Sequence, residues 1–315
     1  MPQIVALSRD DVADLLDVRA LLPALASAFR QFSTGATNAP PRSAAASPSG
    51  LLGTMPAFVP DAGLTVKLVS VFPGNHAAGL PSHQALIAVF DQDTGTPLAL
   101  MDGTHITAVR TGASAAVAAD TLARPDARVL AILGAGVQGA SHLDAFPHVR
   151  DFTEIRIASR TPAHAAELAA RHPLARAVGS FEEAVHGADV VCCCTDAREP
   201  IVRASWLAAG AHVSSVGGSF GPELDPAIVA AGRVFVEWRG AVDNAPPAGA
   251  HELQGLDPAA VTEIGEVLAG SAAGRTSPSD LTVYKSTGHA VEDAAAARLV
   301  LERARAIGRG TPVEL

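Results

Sequence analysis

The segment with the plainest chemical content is VLAILGAGVQGASHL, residues 129–143. It sets Gly134, Gly136 and Gly139 in the spacing G-x-G-x-x-G, after an apolar run and at the start of a helical pattern. A turn of this kind cradles the pyrophosphate of a dinucleotide. Gly134 permits the tight turn, Gly136 lets the backbone approach the phosphates, and Gly139 lets helix and strand pack closely. Val137 and Gln138 open the helix, whose free N–H groups and positive dipole end face an anion. The next apolar run, Ile155–Ala158, ends in Ser159-Arg160-Thr161. A carboxylate there would bind the ribose 2′-hydroxyl of NAD, and none is present. Arg160 instead suits a 2′-phosphate, with Ser159 and Thr161 donating hydrogen bonds. The expected cofactor is NADP(H), with NAD(H) possible.

A second signal is Lys67 in LTVKLV, a lysine inside an otherwise apolar run, where burial is costly. Glu223 and Asp225 in PELDP are candidate carboxylates, although Asp225 before Pro226 has the form of a helix cap. Cys192, Cys193 and Cys194 lie in an apolar run and read as small core residues. Trp206 and Trp238 read as packing residues. The histidines show no HxxxH or HExxH spacing, and no CxxC pair exists, so no metal site is expected.

These groups need elements to hold them. Val18, Leu21, Leu22, Leu25, Phe29 and Phe32 predict a helix over about 18–33, and Ser8 could cap an earlier one. Residues 34–50, rich in Pro, Ser, Ala and Gly, predict a loop. Strand-like runs follow at Leu51–Phe58, Leu64–Phe72, Ala85–Asp91 and Pro97–Met101, then a helix over 104–123. From residue 128 short apolar runs alternate with helical stretches, which argues for a parallel sheet covered on both faces. The chain ends in a long Ala-rich helix expected to pack back on the first domain. The predicted fold class is α/β. A Rossmann-type doubly wound parallel sheet spans 124–285. A second α+β domain, for substrate binding and dimerisation, comes from 1–123 plus 286–315.

Composition narrows the function. The net charge of −9 and the lack of a basic run disfavour nucleic acid and anionic membranes. No apolar stretch reaches the roughly 18 residues of a membrane span. The N-terminus has no secretory pattern. Three adjacent cysteines make no disulfide framework, so a reducing cytoplasm is the expected compartment.

LLGTMPAF, LTVKLVSVF, LPSHQALIAVFD, PLALMDGTHITAVRTGASAAVA, LGAGVQGASHL, HVSSVGGS, ELD, EIGEVLAG and VYKSTGHAVED follow one another over nearly the whole chain. In this the chain resembles the ornithine cyclodeaminase/μ-crystallin family. The resemblance implies a homodimer. It also implies that Arg42, Lys67 and Arg110 meet the substrate. Taken alone, Arg42 and Arg110 read as surface charges. As a set they make chemical sense: two arginines can hold a carboxylate, and a lysine adds a point charge and a donatable proton. Thr111 matches a residue near the cofactor phosphates. Met55 and His83 are assigned to the substrate pocket.

Three departures separate this chain from the cyclodeaminases. Gly53 stands where they carry a glutamate for the substrate's side-chain amine. Ser219 stands where they carry a catalytic aspartate, and would orient substrate or a water instead. Ser159 replaces an aspartate at the strand tip. All three move the chain toward the μ-crystallin branch. The reaction so implied is NAD(P)H-dependent reduction of the C=N bond of a small cyclic imino acid, Δ1-pyrroline-2-carboxylate or Δ1-piperideine-2-carboxylate. The alternatives are ornithine cyclodeamination, L-alanine dehydrogenation, or non-catalytic NADPH-dependent binding of a carboxylate ligand.

Overall fold

The computed structural model describes residues 3–218 and 221–314. The chain opens with β1 (Gln3–Leu7), α1 (Arg9–Leu15) and α2 (Val18–Ser33). Ser8 and Asp11 cap α1 reciprocally, and Asp17 caps α2 by accepting from the Arg19 N–H. An antiparallel run follows: β2 (Ser43–Ser47), β3 (Gly50–Val59), β4 (Gly63–Val71), β5 (His83–Phe90) and β6 (Pro97–Asp102). Strand β2 corrects the expected loop over 34–50. Its Ser-Ala-Ala-Ala-Ser has weak strand preference and all five residues are exposed. Backbone pairing with β3, from Ser43 opposite Thr54 to Ser47 opposite Gly50, makes the strand.

Helix α3 (Gly103–Leu122) leads to the alternating part of the chain. Its elements are β7 (Val129–Leu133), α4 (Val137–Ala145), β8 (Glu154–Ala158), α5 (Pro162–Ala169), β9 (Ala175–Ala177) and α6 (Phe181–Val185). Then come β10 (Val190–Cys193), β11 (His212–Ser215), α7 (Pro226–Ala231), β12 (Arg233–Val236), α8 (Gly240–Asp243), β13 (Thr262–Glu263), α9 (Ile264–Leu268) and β14 (Thr282–Lys285). Last are α10 (Ala290–Ile307) and β15 (Thr311–Glu314).

These elements form two compact units, Met1–Arg110 with His289–Leu315, and Thr111–Gly288. The division falls inside α3. The first unit holds a seven-stranded sheet in the order β15-β1-β6-β5-β4-β3-β2. Only β1 and β6 pair in parallel. Helix α10 lies against β3, β4 and β5 and against α2. Leu21, Leu25, Ala28 and Phe29 recur at helical spacing on α2 and are buried. On α10, Ala294, Ala297, Val300, Leu301 and Ala304 are buried as well. The small alanines allow a close approach to the sheet.

The second unit holds an eight-stranded sheet in the order β13-β12-β14-β11-β10-β7-β8-β9, with every pairing parallel. This is a doubly wound, Rossmann-type arrangement. From β7 the chain moves outward through β8 and β9, then returns to β10 on the other side. Ligands of such sheets bind at the carboxyl ends of the strands where this reversal occurs. Leu130–Leu133 and Val190–Cys193 are completely buried, which is why these strands read as unbroken apolar runs. The three cysteines sit in that core as free thiols. Trp238 is buried, and its indole N–H donates to Thr287 Oγ1 at 3.1 Å.

Phe29, 1 % exposed on α2, anchors the helical layer of the first unit. Phe29→Ala should lower the free energy of unfolding by about 3–5 kcal/mol in a urea titration. A loss below about 1 kcal/mol would show that this layer is not a true core.

Candidate active site

The glycine turn leaves β7 at the chain reversal of the second unit. Gly134 has φ +107°, a region side-chain-bearing residues avoid, and a Cβ there would lie 2.5 Å from the Cys194 carbonyl oxygen. At Gly139 a Cβ would lie 2.0 Å from the Gly134 oxygen. Gly136 differs: nothing lies within 4 Å of where its Cβ would be. It is also the N-cap of α4, and no side chain caps that helix. Exposed Val137 and half-buried Gln138 follow, and Gln138 Oε1 has no hydrogen-bond partner. Open space beside Gly136 and uncapped helix N–H groups fit a pyrophosphate. Thr111 is buried on α3.

At the tip of β8, the Ser159 hydroxyl accepts from the Thr161 N–H at 3.3 Å, and Thr161 is the N-cap of α5. Arg160 is well exposed. Its Nη2 lies 3.1 Å from Asp196 Oδ1, just past β10. Sequence reading missed Asp196, which is 36 residues away. Both partners are exposed, so this pair contributes at most about 1 kcal/mol, and a phosphate could displace the carboxylate.

The basic residues gather in the first unit. Lys67 sits on an inward position of β4 and is 3 % exposed. Its ammonium donates to both carboxylate oxygens of Asp293 at 3.1 Å. Arg110 is also buried. It donates from Nε to Asp293 Oδ1 at 3.2 Å and from Nη1 to Glu292 Oε2 at 3.1 Å. Both carboxylates stand in the first turn of α10. Half-buried Arg42 acts on the same cluster, since its charge disfavours the protonated forms of Lys67 and His289. The site thus brings the three basic residues Arg42, Lys67 and Arg110 together, with Asp293 and Glu292 as carboxylate partners of Lys67 and Arg110.

Electrostatics tune these groups. Burial lowers the Lys67 pKa to about 8; Asp293 opposes the fall and Arg110 adds to it. Burial alone would raise the Asp293 pKa, but the charges of Lys67 and Arg110 outweigh it and leave it below the usual value. His289 is pushed down to about 3, chiefly by burial and then by Arg42, so its ring is neutral near pH 7. Its centroid lies 4.4 Å from that of Phe32.

Met55 is buried directly across from Lys67 in the β3–β4 register. Gly53, also buried, pairs with Val69. A Cβ at Gly53 would lie 3.3 Å from Val69 Cγ1, so a larger residue would press on that strand. His83 is exposed at the start of β5, paired with Val71, and its Nδ1 lies 3.0 Å from Ser82 Oγ. Val71 is four residues beyond Lys67 on β4, about 13 Å at strand spacing. Asp225 caps α7 by accepting from the Ala227 N–H at 2.9 Å. Ser219 lies outside the described residues.

Sequence reading also missed Glu292 and Asp293. The available signal was a pair of adjacent carboxylates opening an Ala-rich helix, next to the VYKSTGHA stretch.

The profile of the Ornithine cyclodeaminase/mu-crystallin family matches residues 3–308. The ketimine reductase mu-crystallin of Mus musculus is 39 % identical over 306 residues, covering 94 % of this chain and 96 % of that protein. A solved structure of Thermococcus litoralis Δ1-pyrroline-2-carboxylate reductase with NADH and L-proline superposes with a TM-score of 0.91. Its identity is 34 %, covering 98 % of this chain and all of that one. An archaeal alanine dehydrogenase dimer with bound NAD superposes with a TM-score of 0.90 at 31 % identity, covering 99 % of each chain. With a family profile spanning nearly its whole length, and with the glycine turn and buried basic cluster in place, the chain belongs to the ornithine cyclodeaminase/mu-crystallin family.

Proposed function

We propose that this protein is an NAD(P)H-dependent imine reductase acting on a small cyclic imino acid, Δ1-pyrroline-2-carboxylate or Δ1-piperideine-2-carboxylate. The observation that carries the reading is the buried ammonium of Lys67 beside Arg110, within reach of Arg42's charge. Arg42 and Arg110 would hold the carboxylate next to the C=N bond. Lys67 would stand at the imine nitrogen, keep it protonated or deliver its proton, and so raise the electrophilicity of the carbon. Asp293 would hold the Lys67 ammonium in direction. The nicotinamide, when bound, supplies the hydride to the imine carbon, and the product is the corresponding amino acid. Gly53 leaves no carboxylate at that position for a second substrate amine. The names of the mouse and Thermococcus litoralis relatives agree with this reading. The archaeal relative favours a second one, reductive amination of pyruvate.

Gly134, Gly136, Val137, Gln138 and Gly139 would hold the pyrophosphate, with Thr111 nearby. Arg160, Ser159 and Thr161 would favour NADP(H) over NAD(H). A homodimer is part of the proposal. Supporting it, Leu52, Leu64 and Leu86 are exposed on one face of the first unit's sheet, at 49 %, 37 % and 47 %. Among the described residues no helix is long and apolar enough to cross a membrane.

Oxidation of NADPH in the presence of either cyclic imine tests the reaction. Rapid oxidation is expected. Oxidation with pyruvate and ammonia but neither imine would move the assignment to alanine dehydrogenase. Lys67→Ala should cut turnover by about a hundredfold or more while NADPH still binds. Because Lys67 is the acid, kcat/KM should fall as pH rises through about 8. A profile flat to pH 10 would remove that role. Arg160→Ala should weaken NADPH by about tenfold and leave NADH within about twofold. Equal losses for the two nucleotides would sink the phosphate assignment.

A further inference from the structure

A second buried polar cluster lies in the second unit. Glu223 is completely buried just before α7. Its Oε1 accepts from the Thr195 N–H and the Thr195 hydroxyl, both at 2.7 Å. Its Oε2 accepts from the Ser215 hydroxyl at 2.7 Å and the Gly217 N–H at 2.9 Å. Behind it Lys285, at the end of β14, donates to Ser215 Oγ at 2.8 Å, to the Gly217 carbonyl at 2.9 Å and to Glu252 Oε1 at 3.1 Å. Glu252 Oε1 also accepts the Glu223 N–H at 2.6 Å. The sequence contains only two lysines, Lys67 and Lys285, and both are buried against carboxylates.

The cluster sits where the strands of this sheet end. Thr195 follows β10 and Gly217 follows β11. Both loops close on the glycine turn or on each other. A Cβ at Gly134 would lie 3.1 Å from Thr195 Cγ2, and one at Gly217 would lie 2.0 Å from the Thr195 oxygen. Two carboxylates and one ammonium are costly to bury, and apolar packing could hold ordinary turns without that cost. A carboxylate does what apolar packing cannot. It accepts from several donors on two separate loops and fixes the direction of their N–H groups.

We infer that Glu223 is a positioning residue of the dinucleotide site, acting through Thr195 and Gly217, with Lys285 and Glu252 holding it in place. The face of the site beside the glycine turn is thereby formed before the cofactor arrives, which lowers the ordering cost of binding. The inference rests on the dinucleotide reading of that turn.

Calorimetric titration of NADPH and NADH tests it on the wild type, Glu223→Gln, Thr195→Val and the double variant. Each variant is first checked for a native circular-dichroism spectrum. Gln keeps the size of Glu but has one acceptor oxygen in place of two. Glu223→Gln should weaken both nucleotides by about tenfold. Thr195→Val should weaken them several-fold, and the double variant should bind no worse than Glu223→Gln. The imine KM at saturating NADPH should stay within about twofold of wild type. A lowered melting temperature with nucleotide affinity within about twofold of wild type would mean a merely structural role and overturn the inference. Losses that multiply in the double variant would overturn it too. If Glu223→Gln does not fold, Thr195→Val decides: a several-fold loss supports the clamp and unchanged affinity overturns it. A wild-type chain that binds neither nucleotide would overturn the dinucleotide reading itself, and the clamp with it.

Discussion

The burial of Lys67 and Arg110 constrains everything else in the first unit. Taking an ammonium and a guanidinium out of water costs several kcal/mol each, and only close, hydrogen-bonded carboxylates offset it. The sheet around Lys67 has none to offer: Met55 and Ile87 are its cross-strand neighbours. The carboxylates come instead from the first turn of α10, more than 180 residues beyond Arg110. The C-terminal helix must therefore return to the N-terminal sheet, and the first unit must be discontinuous. The apolar contacts of α10 with α2 and the sheet carry the helix there, and the charges fix its register.

The same pairing explains the chemical poise of the cluster. Burial drives the Lys67 pKa down and Asp293 holds it up, which leaves it at about 8. A lysine at this value is protonated near neutral pH yet can release its proton at modest cost. Burial and nearby cations keep the neighbouring His289 neutral.

The second unit solves a different problem. A parallel sheet buried on both faces has only its strand ends for function. There the backbone matters more than side chains. Gly136 leaves space, Gly134 bends the chain, and α4 presents uncapped N–H groups. Such loops are useful only if they are held, and buried polar groups hold them. Two lysines, one in each unit, mark the two places where this arginine-rich chain uses a compact ammonium.

Local patterning was enough to read most of the fold. Helix α2 was legible from its apolar spacing, the parallel sheet from short apolar runs alternating with helices, and the glycine turn from its spacing and context. Each of these signals is local, because helix and strand periodicity and turn chemistry act over a few residues. Lys67 stood out for the same reason, as a charge in an apolar strand. Strand β2 was not legible, because its backbone is held by β3 and not by its own residues. Nor were Asp293 and Glu292 legible as the partners of Lys67 and Arg110, or Glu223 as the acceptor for Thr195 and Gly217. Charges and hydrogen-bonding groups pair across space at about 3 Å whatever their distance along the chain. The sequence alone determined which residues were unusual; only the tertiary structure decided which of them meet.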